Sequence, residues 1–272
     1  MQRRGYVALL LVLAPATLFP VYGQAQPAPP LRAPPAATQE PEHPAIEPAA
    51  LAMLQAASKR LAGLKAMTFT VVTTYESIAR TGQPLYFTTQ SEVTVQRPNK
   101  LRVLTPGDGP ASDFYYNGKT MMAYSPIENL VAIADAPPTI EEMLPAAYER
   151  AAIHFPFASL LAADPYQNFS DGLTSAFAVG QSHLVDGVVT DMVAFTNKNV
   201  QGEIWIGVED GLPRMFRISY VKDPAHLHYQ VDLYDWKVNV KLGPGDFTSA
   251  EALRAPRMQF DRPDSPVKPR TN

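Results

Sequence analysis

Leu85-Tyr86-Phe87-Thr88-Thr89-Gln90-Ser91-Glu92-Val93-Thr94-Val95-Gln96 is the stretch on which the fold turns. Leu85, Phe87, Thr89, Ser91, Val93 and Val95 fall on one side of an extended chain and are largely apolar. Tyr86, Thr88, Gln90, Glu92, Thr94 and Gln96 fall on the other. A period of two belongs to a strand with one face on a core and one in water, which is the habit of antiparallel sheets. Phe69-Val71-Thr73-Tyr75 repeats the pattern just upstream. Working outward, strands are expected at Lys100 to Thr105, Asp113 to Tyr116, Thr120 to Tyr124, Leu130 to Ala134, Val188 to Thr196, Glu203 to Ile206, Met215 to Val221 and Leu227 to Val240, about ten in all. Asn117-Gly118, Asp186-Gly187 and Asp210-Gly211 sit between such runs and supply the positive φ angles of tight hairpin turns, so the sheet is read as a meander.

Helices are fewer. Glu47-Pro48 opens a pattern in which Leu51, Leu54, Leu61 and Leu64 recur at helical spacing, with Gly63 as the terminator. Thr139-Ile140-Glu141-Glu142 reads as a helix start, with a hydroxyl to accept from the backbone and acids at the positive end of the dipole. That helix is expected to reach about Ala152, and a second to begin near Pro156 and present Phe157, Leu160 and Leu161. The fold class is therefore α+β. A long twisted sheet curls, and helices that cover one side without filling the curve leave an apolar concavity.

Arg3 and Arg4 ahead of the apolar run Tyr6 to Phe19, with small residues at Gly23 and Ala25, give residues 1–25 the form of a cleaved export signal. Pro15 and Pro20 and the shortness of the run argue against a membrane anchor. Residues 26–48 are dominated by Pro, Ala and Gln and read as an extended tether, residues 49–260 as the folded domain and residues 261–272 as a second disordered tail. With 46% hydrophobic residues in a chain of 272, the domain has ample material for a core. Lys+Arg 23 against Asp+Glu 26, scattered singly, gives no basic stripe for nucleic acid. The absence of Cys excludes disulfides, thiolate metal sites and a lipidated N-terminal cysteine, so the exported protein is expected to be periplasmic and unlipidated.

Chemistry-bearing patterns are sparse. His226 and His228 share one face of a strand with Gln230 and Asp232, but a metal would need a third ligand, and the polar face of a half-buried strand accounts for the pair. Ser159, His183 and Asp186 make a triad on paper without a nucleophile elbow or an oxyanion loop. Asp108-Gly109 and Asp171-Gly172 lack the alternating acids of a calcium loop, and Gly107-Asp108-Gly109 lacks the lysine and helix of a phosphate loop. No catalytic residue, metal site or cofactor is expected. What remains is apolar: Phe69, Tyr75, Phe87, Val93, Met122, Tyr124, Phe157, Leu161, Phe195, Ile204, Ile206 and Leu233 fall on alternating strand faces or helix edges and are the candidate lining of an apolar cavity. Val95 belongs to the same set, and methionines such as Met67, Met121 and Met215 add adaptable side chains.

Arg97-Pro98-Asn99-Lys100-Leu101-Arg102-Val103, Tyr115-Tyr116-Asn117-Gly118-Lys119-Thr120, Pro156-Phe157-Ala158-Ser159-Leu160-Leu161 and Gly202-Glu203-Ile204-Trp205-Ile206 resemble a bacterial family of predicted periplasmic proteins of unknown function (DUF2092), in the superfamily of the LolA and LolB lipoprotein carriers. Pro213-Arg214, Ile218-Ser219-Tyr220, Asp235-Trp236 and Phe247 extend the likeness over nearly the whole domain. The resemblance implies an incomplete β-barrel of about eleven antiparallel strands wrapped around helices, with a cavity for acyl chains. The carriers' functional arginine is assigned to no position here, and Asp191 stands where that family is expected to carry a histidine. The expected function is that of a non-catalytic binder or carrier of a hydrophobic ligand such as a lipid or lipoprotein acyl chain, with an envelope protein or a membrane surface as further partner and no nucleic acid. Two alternatives are an envelope structural or interaction module whose cavity is filled by its own side chains, and a metal-assisted hydrolase built on His226 and His228.

Overall fold

Strands run in two meanders separated by a helical insert. The computed structural model describes residues 45–107, 111–225 and 227–262. The expected export signal, most of the tether and the tail, Asp108-Gly109 and His226 lie outside the described residues. The first meander is β1 (Ala66–Ile78), β2 (Pro84–Gln96), β3 (Lys100–Gly107), β4 (Ser112–Tyr116), β5 (Thr120–Ser125) and β6 (Leu130–Asp135). The second is β7 (Ser175–Ser182), β8 (Thr190–Thr196), β9 (Val200–Gly207), β10 (Pro213–Tyr220) and β11 (His228–Val238). They join through antiparallel pairing of β1 with β11, and a two-residue β12 (Arg257–Met258) adds in parallel to β6. The result is one curved, unclosed sheet of 12 strands with β12 and β7 at its edges. The expected strongly curved antiparallel sheet of about ten to eleven strands, an incomplete barrel, is what the chain forms, and the β1–β11 junction adds a long-range pairing between its two meanders.

Helix α1 (Pro48–Gly63) carries Pro at its start and buries Ala50, Leu54, Ala57 and Leu61, the spacing of one helical face. Three helices fill the gap between β6 and β7: α2 (Ile140–Ala151), α3 (Ala158–Leu161) and α4 (Pro165–Ser170). The start of α2 is as the sequence dictates, for the Thr139 hydroxyl accepts from the backbone N–H of Glu142 and donates to its carboxylate. Helix α4 was not foreseen; its N-cap is Asp164, which accepts from the N–H of Tyr166. A 3-10 turn (Pro244–Phe247) and α5 (Ala250–Arg254) lie between β11 and β12.

Register separates the two faces. Phe69 lies opposite Val93, Val93 opposite Val103, Val103 opposite Phe114, and on the other side Val71 opposite Leu233. These residues share the concave face and form one core with Leu54, Leu61, Phe157, Leu160 and Leu161 from the helices. Tyr115, Met122, Tyr124 and Val131 have the opposite parity and pack on the convex face beneath Ala252 and Ala255. Tyr116, fully buried, donates to the Pro137 carbonyl at 2.6 Å, and burial pushes its phenol up to about 12, so it remains a donor. Arg214 ties two turns of the second meander together, pairing with Asp186 at 3.0 Å and Asp210 at 2.7 Å.

Candidate functional site

The concave face is longer than its helical cover. Along β1 the inward residues are Met67, Phe69, Val71, Thr73, Tyr75 and Ser77, and burial falls away along the series: Phe69 is 3% exposed, Tyr75 40%. Their partners on β2 follow suit, from Val93 at 1% to Phe87 at 44% and Leu85 at 39%. On β10 the inward series Phe216, Ile218, Tyr220 ends in a half-exposed tyrosine.

The covered half is packed with aromatic rings. A bulge lets Phe69 span a register shift between β1 and β11, where Asp235 adopts φ 54° and Trp236 comes to lie over Phe69 with ring centroids 4.4 Å apart. Phe157 meets Phe69 edge-on at 6.0 Å, Phe155 lies 5.6 Å from Phe157, and Phe114 is 5.3 Å from Phe155. The guanidinium of Arg97 fixes this plug to the sheet. It donates to the carbonyls of Leu161 at 2.5 Å, Ala162 at 3.1 Å and Leu160 at 3.2 Å, the open C-terminal end of α3.

Where the plug stops, a cavity of about 260 Å³ opens between the sheet and the segment leading into α3. Its walls are Thr73, Tyr75, Tyr220 and Tyr229 from the strands with His154 and Pro156 opposite. Tyr75 stacks on Phe87 at 5.6 Å, and Tyr220 and Tyr229 are 6.0 Å apart. Burial raises the phenol of Tyr229 well above its ordinary range, with Tyr220 adding to the shift, so it stays protonated. Partial burial lowers the basicity of His154, whose ring lies edge-on to Tyr148 at 6.2 Å.

The twelve residues read from the sequence as cavity lining are distributed as follows. Phe69, Val93, Phe157, Leu161, Phe195, Ile204, Ile206 and Leu233 belong to the buried concave core. Tyr75 borders the cavity, and Phe87 stacks on it at the rim. Met122 and Tyr124 are on the convex face, as one-residue parity requires, and do not approach the cavity. His154, Pro156, Tyr220 and Tyr229 were not singled out. Alternation marks Tyr220 and Tyr229 as concave, but nothing local announces that the helical cover ends beside them.

Patterns weighed as chemistry have other partners. His228 lies 3.3 Å from Glu76, which also accepts from the His228 N–H, and that backbone bond is the main cause that holds the Glu76 carboxyl below the usual carboxylate range. Gln230 donates to Asp232 on the same convex face. Asp186 is engaged with Arg214, and Asp171 with Lys198 at 2.5 Å. Asp191 accepts from the Gln181 amide at 3.0 Å. Among the described residues no three His, Asp or Glu side chains are gathered as a metal site would need, and no helix is long and apolar enough to cross a membrane.

Residues 50–261 match the family model described as a predicted periplasmic protein, DUF2092. No curated protein matches. Among solved structures, the lipoprotein LppX of Mycobacterium tuberculosis is 15% identical with a TM-score of 0.46, over 72% of this chain and 100% of that one. LprF from Mycobacterium bovis is 17% identical with a TM-score of 0.46, over 73% and 98%. A putative outer membrane lipoprotein-sorting protein domain from Vibrio parahaemolyticus is 9% identical with a TM-score of 0.36, over 76% and 99%.

Proposed function

The chain belongs to the DUF2092 family of predicted periplasmic proteins, and from that premise we propose that it is a non-catalytic binder or carrier of a hydrophobic ligand, exported by cleavage of residues 1–25 and unlipidated. The observation that carries this reading is the mismatch between sheet and cover. Tyr75, Leu85, Phe87 and Tyr220 continue the concave face past the last helical contact and stay 39–46% exposed beside an open cavity. Such a strip is costly in water, and a ligand chain laid on it gains roughly 0.8 kcal/mol per methylene removed from solvent. Catalysis has no part in the proposal, since the polar groups around the cavity include no paired nucleophile and base.

The test is ligand recovery. Protein purified from the periplasm without detergent is expected to carry an apolar molecule detectable by native mass spectrometry and solvent extraction, and to bind a fluorescent fatty-acid analogue once emptied. Saturation at a hundred times Kd is expected to raise unfolding free energy by about 2.7 kcal/mol. A protein that is empty as isolated and inert to the analogue overturns the proposal. It would favour the second reading, an envelope interaction module, for which the packed plug of Phe155, Phe157, Leu160 and Leu161 speaks.

A further inference from the structure

We propose that the cavity accepts the oxygen-bearing end of a single-chain amphiphile, a fatty acid or a monoacyl lipid, and excludes lipids with two or three chains. This rests on the carrier reading above and narrows its ligand class. The first ground is room. A cavity of 260 Å³ holds about nine water- or methylene-sized groups at roughly 30 Å³ each, enough for one polar end and the start of one chain. Three sixteen-carbon chains would need several times that space. The adjoining volume is already occupied by Phe155 and Phe157, locked edge-on against Phe114 and Phe69, and by Leu160 and Leu161, each 1% exposed. Arg97 holds the backbone of that plug at three carbonyls, so enlarging the cavity means breaking charge-assisted hydrogen bonds as well as packing.

The second ground is the chemistry of the walls. The wall is mostly apolar, made of Pro156 and the rings of Tyr75, Tyr220, Tyr229 and His154, and a minority of polar atoms, the Thr73 hydroxyl among them, is set into it. Thr73, Tyr75 and His154 make no side-chain hydrogen bond among the described residues, although Thr73 is only 3% exposed. Bare hydrocarbon would suit the rings but leave these few polar groups without a partner. A carboxyl, hydroxyl or ester oxygen pairs with them. Tyrosine hydroxyls and a weakly basic imidazole donate to such oxygens without a buried charge of their own. The rest of the chain then leaves over the stacked Tyr75 and Phe87 toward Leu85.

The experiment presents the emptied protein, below micellar concentrations, with palmitate, a monopalmitoyl glycerophospholipid, its dipalmitoyl counterpart and a tripalmitoylated lipopeptide, and reads 1:1 adducts by native mass spectrometry and midpoints by thermal shift. Binding of either or both single-chain ligands at least tenfold tighter than the other two is expected. Palmitate alone points to free fatty acid as the source, and the monoacyl lipid at equal or better affinity points to a lipid. Equal or tighter binding of the two- or three-chain ligand overturns the inference while leaving the carrier reading intact, and binding of none of the four overturns both. Thr73→Val removes the hydroxyl at nearly constant volume. It is expected to weaken palmitate about tenfold with an unchanged melting midpoint of the empty protein, and an unchanged affinity overturns the polar half of the argument.

Discussion

Arg97 shows how much can rest on one side chain. Its sequence context, an Arg-Pro step between two strands, is legible. Its partners are not, because the carbonyls it serves lie 63–65 residues away, on a helix of four residues and the residue that caps it. A planar fork with several donors suits three clustered carbonyls, and the compact ammonium of lysine does not. Arg97→Met is therefore expected to cost about 3 kcal/mol in urea unfolding, allowing for non-additive charge-assisted bonds, and Arg97→Lys is expected to recover less than half of it. Asp232 presents the opposite case. It is 9% exposed on the convex face, and burial raises its carboxyl above the ordinary range against the smaller lowering effects of Gln230 and Arg217. A folded-state value above the unfolded one means that the native protein binds the proton more tightly. Stability from this group is present in acid and is lost as pH rises through the interval between the two values. Asp232→Asn should accordingly raise the melting midpoint at pH 7, with the gain shrinking to nothing in thermal melts taken below the unfolded carboxylate value of about 3.9.

At the scale of elements, what could be read was what repeats. β2 alternates in side-chain type along its sequence, and α1 buries residues over three turns, so both are placed by pattern. β7, α4 and β12 were missed for physical reasons. β7 is an edge strand whose Ser175–Ser182 sequence is exposed along most of its length, with a register shift by Gly180 that breaks the period. The six residues of α4 span too few turns for a face to repeat, and the two residues of β12 carry no period at all. Gly202 in β9 is another feature that sequence cannot explain alone. A Cβ there would come within 2.6 Å of Phe195 Cζ and 2.8 Å of Ile218 Cδ1. Both neighbours are buried, and Phe195 is braced edge-on by Phe169 at 5.5 Å, so they have little freedom to yield. Gly202→Ala removes backbone freedom from the unfolded chain, worth under about 1 kcal/mol, but the overpacking costs roughly 1–3 kcal/mol and wins. The expected outcome is a lower urea midpoint with an unchanged slope.

For the molecule as a whole, the sheet is held together by a junction and threatened by its edges. Pairing of β1 with β11 brings Met67 opposite Val238, and no local signal can announce a contact over that separation. The same blindness explains why alternation can assign a residue to a face of the sheet but not mark where the cavity opens: strand parity is local, whereas the point at which the helical insert stops covering the sheet is set by how the insert crosses the finished sheet. An unclosed sheet also leaves two strands with unpaired backbone groups, a template for adding foreign strands. Here residues distant in sequence cover part of each edge. Ile46 bridges Ala176 in parallel, with the Glu47 N–H donating to the Ala176 carbonyl at 2.8 Å and the Ala176 N–H to the Ala45 carbonyl at 2.9 Å. At the far edge β12 pairs with β6, and the Val131 N–H donates to the Pro256 carbonyl at 3.0 Å. These short parallel pairs bury little, as the half-exposed Met258 shows, so their contribution to stability is a few net hydrogen bonds of about 1 kcal/mol each. Their larger effect is on association. A chain ending at Ala255 retains α5 and the convex cluster but bares the outer edge of β6. It is expected to lose about 3–4 kcal/mol in urea unfolding, from the edge hydrogen bonds and from Phe260, which packs on the core, and to shift from monomer-sized to larger species in size-exclusion chromatography as concentration rises. A truncated chain that elutes unchanged with concentration would mean that the curvature of the sheet, and not β12, keeps this edge from pairing.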